Sequence, residues 1–274
     1  MPELGQMIGQ GTSGQVYRYG EDTVLKLFYP EIPPENIGFE ARITSYVNQA
    51  GLPAAKVYDI IEHQGRTGIV YQNLEGKALL RILGHQVHRM FYWSKVLAKL
   101  HIQMHRCPPP KDLGHQKPLF ADWIVAASGL DTKTKDKVLK YLDLMPSGTQ
   151  LCHNDLQPDN IVLTPAGLVV IDWTYTRVGD ALADAAYTML MLQIGELPEG
   201  TGGQNGIALG RMLFSRLYAR DYLRESGTGT LPEMLKWRMP LAAARLIYKF
   251  PKEKQPCINI VHSEIKKMEK RGVI

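Results

Sequence analysis

The chain has 274 residues, is 45% apolar and 22% charged, and carries a formal charge of +5 with an isoelectric point near 9.0. That apolar content is enough for a sizeable buried core and excludes a disordered or fibrous chain. No apolar run approaches the roughly 20 residues of a membrane helix, and the opening MPELGQMIG lacks the parts of a signal peptide, so a cytoplasmic protein with no membrane partner is expected.

From Ile8 the sequence reads IGQGTSGQVYRY, in which Gly9, Gly11, Gly14 and Val16 complete G-x-G-x-x-G-x-V. Glycines at this spacing let the backbone approach phosphates. A Rossmann loop uses nearly the same spacing but opens into a helix. Here QVYRY, a turn at Gly20–Asp22 and TVLKLF follow, so residues 6–29 read as strands and the glycines as the tip of a β-hairpin over a nucleotide. Lys26 is a cation in an otherwise apolar strand, which is costly without a partner. The segment 35–50 reads as a helix and offers Glu40, whose carboxylate would orient the ammonium toward nucleotide phosphates. Residues 55–72 read as a second hairpin, with KVYDIIEH and TGIVYQ flanking a turn at Gly65–Gly68, and Gln72–Gly76 as a hinge.

Helical spacing returns at Trp93–His105 and Lys133–Leu144, while Met104–Gly114 is too rich in proline for a helix. The most informative stretch is LCHNDLQPDNIVLTPAGLVVIDW over 151–173. It contains H-x-D-x-x-x-x-N and, beyond a hairpin-like segment, a second aspartate at the end of an apolar run. This is the layout of a phosphoryl-transfer site: Asp155 to accept the proton of an attacking hydroxyl, Asn160 and Asp172 to give hard oxygens to Mg²⁺ beside the phosphates. Asp180, after Gly179 and ahead of an Ala-rich segment, reads as a helix N-cap.

These motifs, with LAKLH ending at His101 and GDALAD at 179–184, resemble in order the aminoglycoside phosphotransferase and choline kinase family, over about Ile8 to Leu192. The resemblance implies an α+β, two-lobed protein-kinase-like fold. Residues 1–76 would be an N-terminal nucleotide-binding lobe and hinge, with a small antiparallel sheet and one helix, and 77–274 a larger, mainly helical catalytic and substrate-binding lobe. It further implies Tyr71 at the back of the purine pocket, backbone contacts from Gln72 and Leu74, His153 bracing the catalytic loop, and Asp184 accepting backbone N–H bonds at His153 and Asn154. Gln157 and Asn154 stand where a protein kinase carries a lysine and an arginine. GDALADAAY follows Trp173 too closely for an activation segment, so a protein substrate is disfavoured. The expected activity is transfer of the γ-phosphoryl of a nucleoside triphosphate, ATP or GTP, to a hydroxyl of a small metabolite or antibiotic. A catalytically silent nucleotide-binding scaffold is the alternative.

His101, on the packed face of a helix, reads as a hydrogen-bonded core residue rather than an acid or base. After a loop at 195–206, helical stretches at 207–224, 231–248 and 257–270 carry Arg211, Arg216, Arg220, Arg224, Arg238, Arg245 and Lys249. Acceptor choice is expected in residues 195–270, chiefly through Arg211, Arg238, Arg245 and Lys249, with Asp122 and Trp123 as the next candidates. Trp237 and Tyr248 could cage a quaternary amine, though aromatics at helical spacing are usually core. The basic balance raises nucleic-acid binding, but neither RNP-type interleaving nor zinc-ligand spacing occurs, and no specific nucleic-acid partner is expected. Cys107, Cys152 and Cys257 are odd in number and widely spaced, as in a reduced protein without structural metal.

Overall fold

A computed structural model describes residues 3–196, 204–248 and 250–272. In chain order the first elements are strands β1 (Leu4–Gln10), β2 (Gly14–Tyr19) and β3 (Thr23–Phe28), helix α1 (Pro34–Gln49), strands β4 (Val57–His63), β5 (Arg66–Gln72) and β6 (Lys77–Ala78), and helices α2 (Leu79–His85), α3 (Met90–Arg106), α4 (Gln116–Ala126) and α5 (Thr132–Asp143). Strands β7 (Gln150–Cys152), β8 (Ile161–Thr164), β9 (Gly167–Val170) and β10 (Arg177–Gly179) follow, then helices α6 (Ala181–Ile194), α7 (Gln204–Ser226), α8 (Leu231–Lys236), α9 (Arg238–Arg245) and α10 (Pro251–Lys270).

The chain forms two compact units. The first combines residues 1–82 with Pro158–Tyr175, and the second holds Leu83–Gln157 and Thr176–Ile274. The sequence reading divides the chain once, at 76/77; the compact units divide it after Ile82 and give the first unit the β8–β9 hairpin. The reason is pairing: β6 joins β8 antiparallel, Lys77 opposite Leu163, and Val170 N–H donates to the Pro53 carbonyl at 2.6 Å.

In the first unit a five-stranded antiparallel sheet runs β1-β2-β3-β5-β4. The β4–β5 turn is tighter than Gly65–Gly68. Gln64 and Gly65 alone form it, both with positive φ (51° and 73°), and His63 pairs Arg66. Two such residues match the right-handed twist of a hairpin. Gly68 instead lies in β5, where a Cβ would meet the Leu25 side chain at 2.6 Å. Helix α1 starts on Pro34, whose missing N–H costs nothing in a first turn, and buries Ile37, Glu40, Ala41 and Thr44 at helical spacing. Phe28, Ile37, Ala41 and Ile69 form the core beneath it.

The second unit is helical around α6, which is buried from Ala183 to Leu192 and packs against α7, α9 and β7. A helix apolar on nearly all sides belongs in a core. Several expected boundaries move. The stretch read as one helix over 231–248 breaks at Trp237, because Pro240 has no N–H for the Lys236 carbonyl; a new first turn from Arg238 accommodates it. Helix α10 starts at Pro251, not Cys257. Pro256 lies inside it, and the carbonyl it leaves unbonded, that of Lys252, is on an exposed residue. Helix α3 likewise runs through Met104 to Arg106, and α2 and α4 were not expected. No helix among the described residues is long and apolar enough to cross a membrane.

Candidate active site

In the first unit, Lys26 faces α1 from β3 and its ammonium lies 2.7 and 2.9 Å from the two Glu40 carboxylate oxygens. Glu40 is only 2% exposed, and it also accepts from the Tyr71 hydroxyl at 2.8 Å and the Thr174 hydroxyl at 2.7 Å. The same ammonium is 3.5 Å from Asp172 Oδ1. Burial pushes the Lys26 pKa down, but the carboxylates of Asp172 and Glu40 outweigh it and hold it above the usual lysine value. Lys26 is therefore a permanent cation.

The β8–β9 hairpin sets the metal-type oxygens. Ile161 pairs Val170, so the residues flanking the strands meet at one end, where Ile171 N–H donates to the Asn160 carbonyl at 3.0 Å. Asp172 follows in a left-handed conformation, φ 62°, tolerated by aspartate better than by most side chains. Buried Trp173 anchors the turn through its indole N–H on the Val170 carbonyl. Asn160 and Asp172 thus bring an amide and a carboxylate to one hairpin end, a donor set of the hard-oxygen kind that Mg²⁺ takes.

The glycine motif is the β1–β2 turn, with Val16 opposite Gly9 and Gly11 N–H closing on the Gly14 carbonyl at 2.9 Å. Its glycines are not equivalent. A Cβ at Gly14 would meet the Leu27 carbonyl at 2.5 Å, so packing dictates glycine there, whereas at Gly11 nothing lies within 4 Å. Tyr71 and Gln72 end β5 and Leu74 follows it. The Gln72 N–H is engaged by the Lys56 carbonyl, so it is not offered to a purine.

In the second unit, the catalytic-loop motif follows β7. Asp184 fixes its start: His153 N–H donates to Oδ2 at 2.6 Å and Asn154 N–H to Oδ1 at 2.8 Å. One turn along α6, Thr188 donates to the Leu156 carbonyl at 2.7 Å, so one face of one helix grips both sides of Asp155. Asn154 is left-handed, φ 63°, and its side-chain oxygen accepts from Gln116 at 2.6 Å. Gln116 is 1% exposed, and its own oxygen accepts from Asp180 N–H, which ties the loop to the start of α6. A glutamine next to a proline-rich stretch carries no sequence signal of this role. Asp180 caps α6 through Leu182 N–H at 2.7 Å.

Two histidines of α3 complete the bracing. His101 Nε2 lies 3.0 Å and His105 Nε2 3.2 Å from Asp184 Oδ2, while their Nδ1 atoms meet the hydroxyls of Tyr218 (2.6 Å) and Tyr222 (2.9 Å). The ligand-type atoms of His101, His105 and Asp184 fall within 4.8 Å of one another. His101 Nε2 is buried 3.0 Å from the Asp184 carboxylate without a well-formed hydrogen bond to it, so that contact is one of proximity. Burial first, and His105 next, lower the His101 pKa to about 4, so it is neutral; burial would raise the Asp184 carboxyl, but the two histidines hold it well below the usual range.

The arginines expected to choose the acceptor divide. Arg211 caps α6, donating to the carbonyls of Leu192 (2.8 Å) and Met191 (3.0 Å). Arg245 is buried: its guanidinium grips Glu253 at 2.6 and 3.1 Å, donates to the Tyr187 hydroxyl at 3.0 Å, and lies over the rings of Tyr248 and Phe250. Neither is a solvated face or a free surface cation. Both Arg245 and Tyr187 sit close enough to Asp155 to feel its charge. Arg238 is half-buried, Asp122 is exposed and Trp123 is buried, while Lys249 and most of the 195–206 loop lie outside the described residues. Trp237, 1% exposed, is core against Phe120.

The model of the phosphotransferase enzyme family matches residues 5–225. The chain belongs to that family. Thiamine kinase of Salmonella paratyphi B is 28% identical over 187 residues, and the match covers 65% of this chain and 62% of that protein. Among solved structures, a choline/ethanolamine kinase family protein from Mesorhizobium loti superposes with a TM-score of 0.64 at 15% identity, covering 99% of this chain and 90% of that one. Amicoumacin kinase, solved with AMP-PNP and Ca²⁺, gives 0.63 at 14%, covering 96% and 88%. At these identities the likeness is one of fold, and the fold is protein-kinase-like: an antiparallel-sheet unit with one long helix, and a helical unit.

Proposed function

We propose that this protein transfers the γ-phosphoryl of a nucleoside triphosphate, ATP in the first instance, to a hydroxyl of a small molecule. The observation that carries the reading is the cluster Lys26–Glu40–Asp172, a permanent cation oriented by a buried carboxylate and directed at a second, 34% exposed carboxylate. Asn160 and Asp172 would hold Mg²⁺, which when bound spreads the charge that builds on the transferred group. Lys26 holds the phosphates. The backbone of the glycine turn covers them, and the open space at Gly11 is what a close phosphate requires. Asp155, held by a loop that α6 clamps, orients the acceptor hydroxyl and takes its proton. No step needs a covalent enzyme intermediate.

The thiamine kinase relatives make thiamine the first acceptor to try, followed by choline and aminoglycosides. The three cysteines are buried free thiols, which suits a reducing, cytoplasmic setting. The test is acceptor-dependent nucleotide consumption across hydroxylated metabolites and antibiotics. With an acceptor in hand, Asp155→Asn lowers kcat by about 10²–10⁴-fold while nucleotide affinity stays nearly unchanged. Full turnover in that variant would remove Asp155 from the mechanism.

A further inference from the structure

Thr174, directly after the IDW motif, has one hydroxyl proton and two carboxylates within reach of it. Its Oγ1 lies 2.7 Å from Glu40 Oε2 and 2.7 Å from Asp172 Oδ1. The two acceptors differ. Glu40 is 2% exposed and already receives the Lys26 ammonium at 2.7 and 2.9 Å and the Tyr71 hydroxyl at 2.8 Å. Asp172 is 34% exposed, its Oδ1 stands 3.5 Å from the same ammonium, and its backbone is in the left-handed region at φ 62°. The hydroxyl therefore bridges the residue that orients Lys26 and the residue read as a metal ligand.

A hydroxyl donates to one acceptor at a time. While Asp172 carries its full negative charge, it competes for the Thr174 proton. Donation to Oδ1 would hold the carboxylate in one orientation for a divalent cation at its other oxygen, while the same Oγ1 stays within reach of Glu40. We propose that Thr174 is a positioning residue for the metal site: its hydroxyl fixes the Asp172 carboxylate and couples metal binding there to the Lys26–Glu40 pair. The inference rests on the reading of Asp172 as a Mg²⁺ ligand. It assigns Thr174 no contact with substrate.

Calorimetric titration of AMP-PNP into the parent, Thr174→Val and Thr174→Ser, each with Mg²⁺ and with EDTA, separates the possibilities. Valine keeps the shape and removes the hydroxyl; serine keeps the hydroxyl and removes the methyl. The expected result is that Thr174→Val loses about tenfold in Mg²⁺-dependent affinity, the size of one charge-assisted hydrogen bond, with affinity in EDTA within about twofold of the parent. Thr174→Ser restores the Mg²⁺-dependent gain. Unliganded melting temperatures of all three should agree within about 3 °C; should valine fail to fold, Thr174→Ala is the second hydroxyl-free variant. The inference is overturned if Thr174→Val responds to Mg²⁺ as the parent does, if serine is as impaired as valine, or if the loss is equal in EDTA. A parent whose AMP-PNP affinity ignores Mg²⁺ would overturn the metal reading of Asp172 itself, and the inference with it.

Discussion

Two largely buried cation–carboxylate pairs, one in each compact unit, use the same chemistry to different ends. Lys26 with Glu40 and Arg245 with Glu253 are both held by two contacts, at 2.7 and 2.9 Å and at 2.6 and 3.1 Å. Lys26 has a further carboxylate, Asp172, 3.5 Å from its ammonium and 34% exposed. Arg245 is instead enclosed by Tyr187, Tyr248 and Phe250, and its pair is 7% and 4% exposed. A lysine ammonium is a point charge that can serve a new anion by a small movement, whereas a guanidinium fork matched to a carboxylate is committed to it. On the proposed reading, the difference separates a pair that serves the nucleotide from one that holds helices together.

Removing each cation tests that separation: the first should cost activity and the second stability. Lys26→Met should lower kcat/KM for the nucleotide by about 10²–10³-fold, the usual cost of deleting one preorganised charge from such a site. Its stability should fall less than its activity, because Glu40 keeps the hydroxyls of Tyr71 and Thr174 as donors. Steady-state kinetics beside thermal melting measures both, and near-normal turnover in Lys26→Met would erase the distinction between the pairs.

Arg245→Met should reverse the pattern. Loss of one partner of a buried pair typically costs about 3–5 kcal/mol. Here Glu253 retains the Glu196 N–H as a donor, while Tyr187 loses the guanidinium that its hydroxyl accepts from. Urea denaturation should show the cost, with nucleotide affinity in the folded fraction unaltered. If stability were untouched and only acceptor KM changed, Arg245 would be an acceptor-binding residue of the kind expected from the sequence.

The asymmetry also explains what could be read in advance. The first unit's chemistry lies in contiguous motifs, because a glycine turn, a strand lysine and a hairpin-flanked aspartate need fixed local spacing; Gly9, Gly11, Gly14, Lys26, Asn160 and Asp172 were singled out on that ground. Glu40 followed from the need of Lys26 for a partner. Apart from Asp155, read from its motif, and the Asp180 N-cap, the rest depends on packing between segments far apart in the chain. Gln116 reaches Asn154 across 38 residues, His105 meets Asp184 across 79, and Thr174 meets Glu40 across 134. No local pattern marks such a residue. Arg211 and Arg245 were visible as charges, but their burial was not, since a helix cap and a cross-helix pair look like surface arginines in one dimension. The break at Trp237 was legible in Pro240 and was overridden by the helical spacing around it.

A buried carboxylate without a permanent cation sharpens the comparison, and it predicts the smallest effect of the set. Asp184 is flanked by His101 and His105, and the His101 ring beside it is neutral. The His101 pKa is lowered from its ordinary 6.5 to about 4, chiefly by burial. As pH falls below 6.5 the unfolded chain takes up this proton first, so the stabilisation is fully present above about 6.5 and is lost progressively toward pH 4. Across that window a single site of this kind contributes on the order of 3 kcal/mol. Urea denaturation at intervals between pH 7.5 and 4.5 should therefore show stability declining more steeply in the parent than in His101→Gln, whose amide can still donate toward Asp184 and does not titrate. Parallel curves would mean that His101 takes up its proton equally in both states. The clamp on the catalytic loop would then rest on the backbone bonds of His153 and Asn154 to Asp184, with the histidine serving only to fill space between α3 and α7.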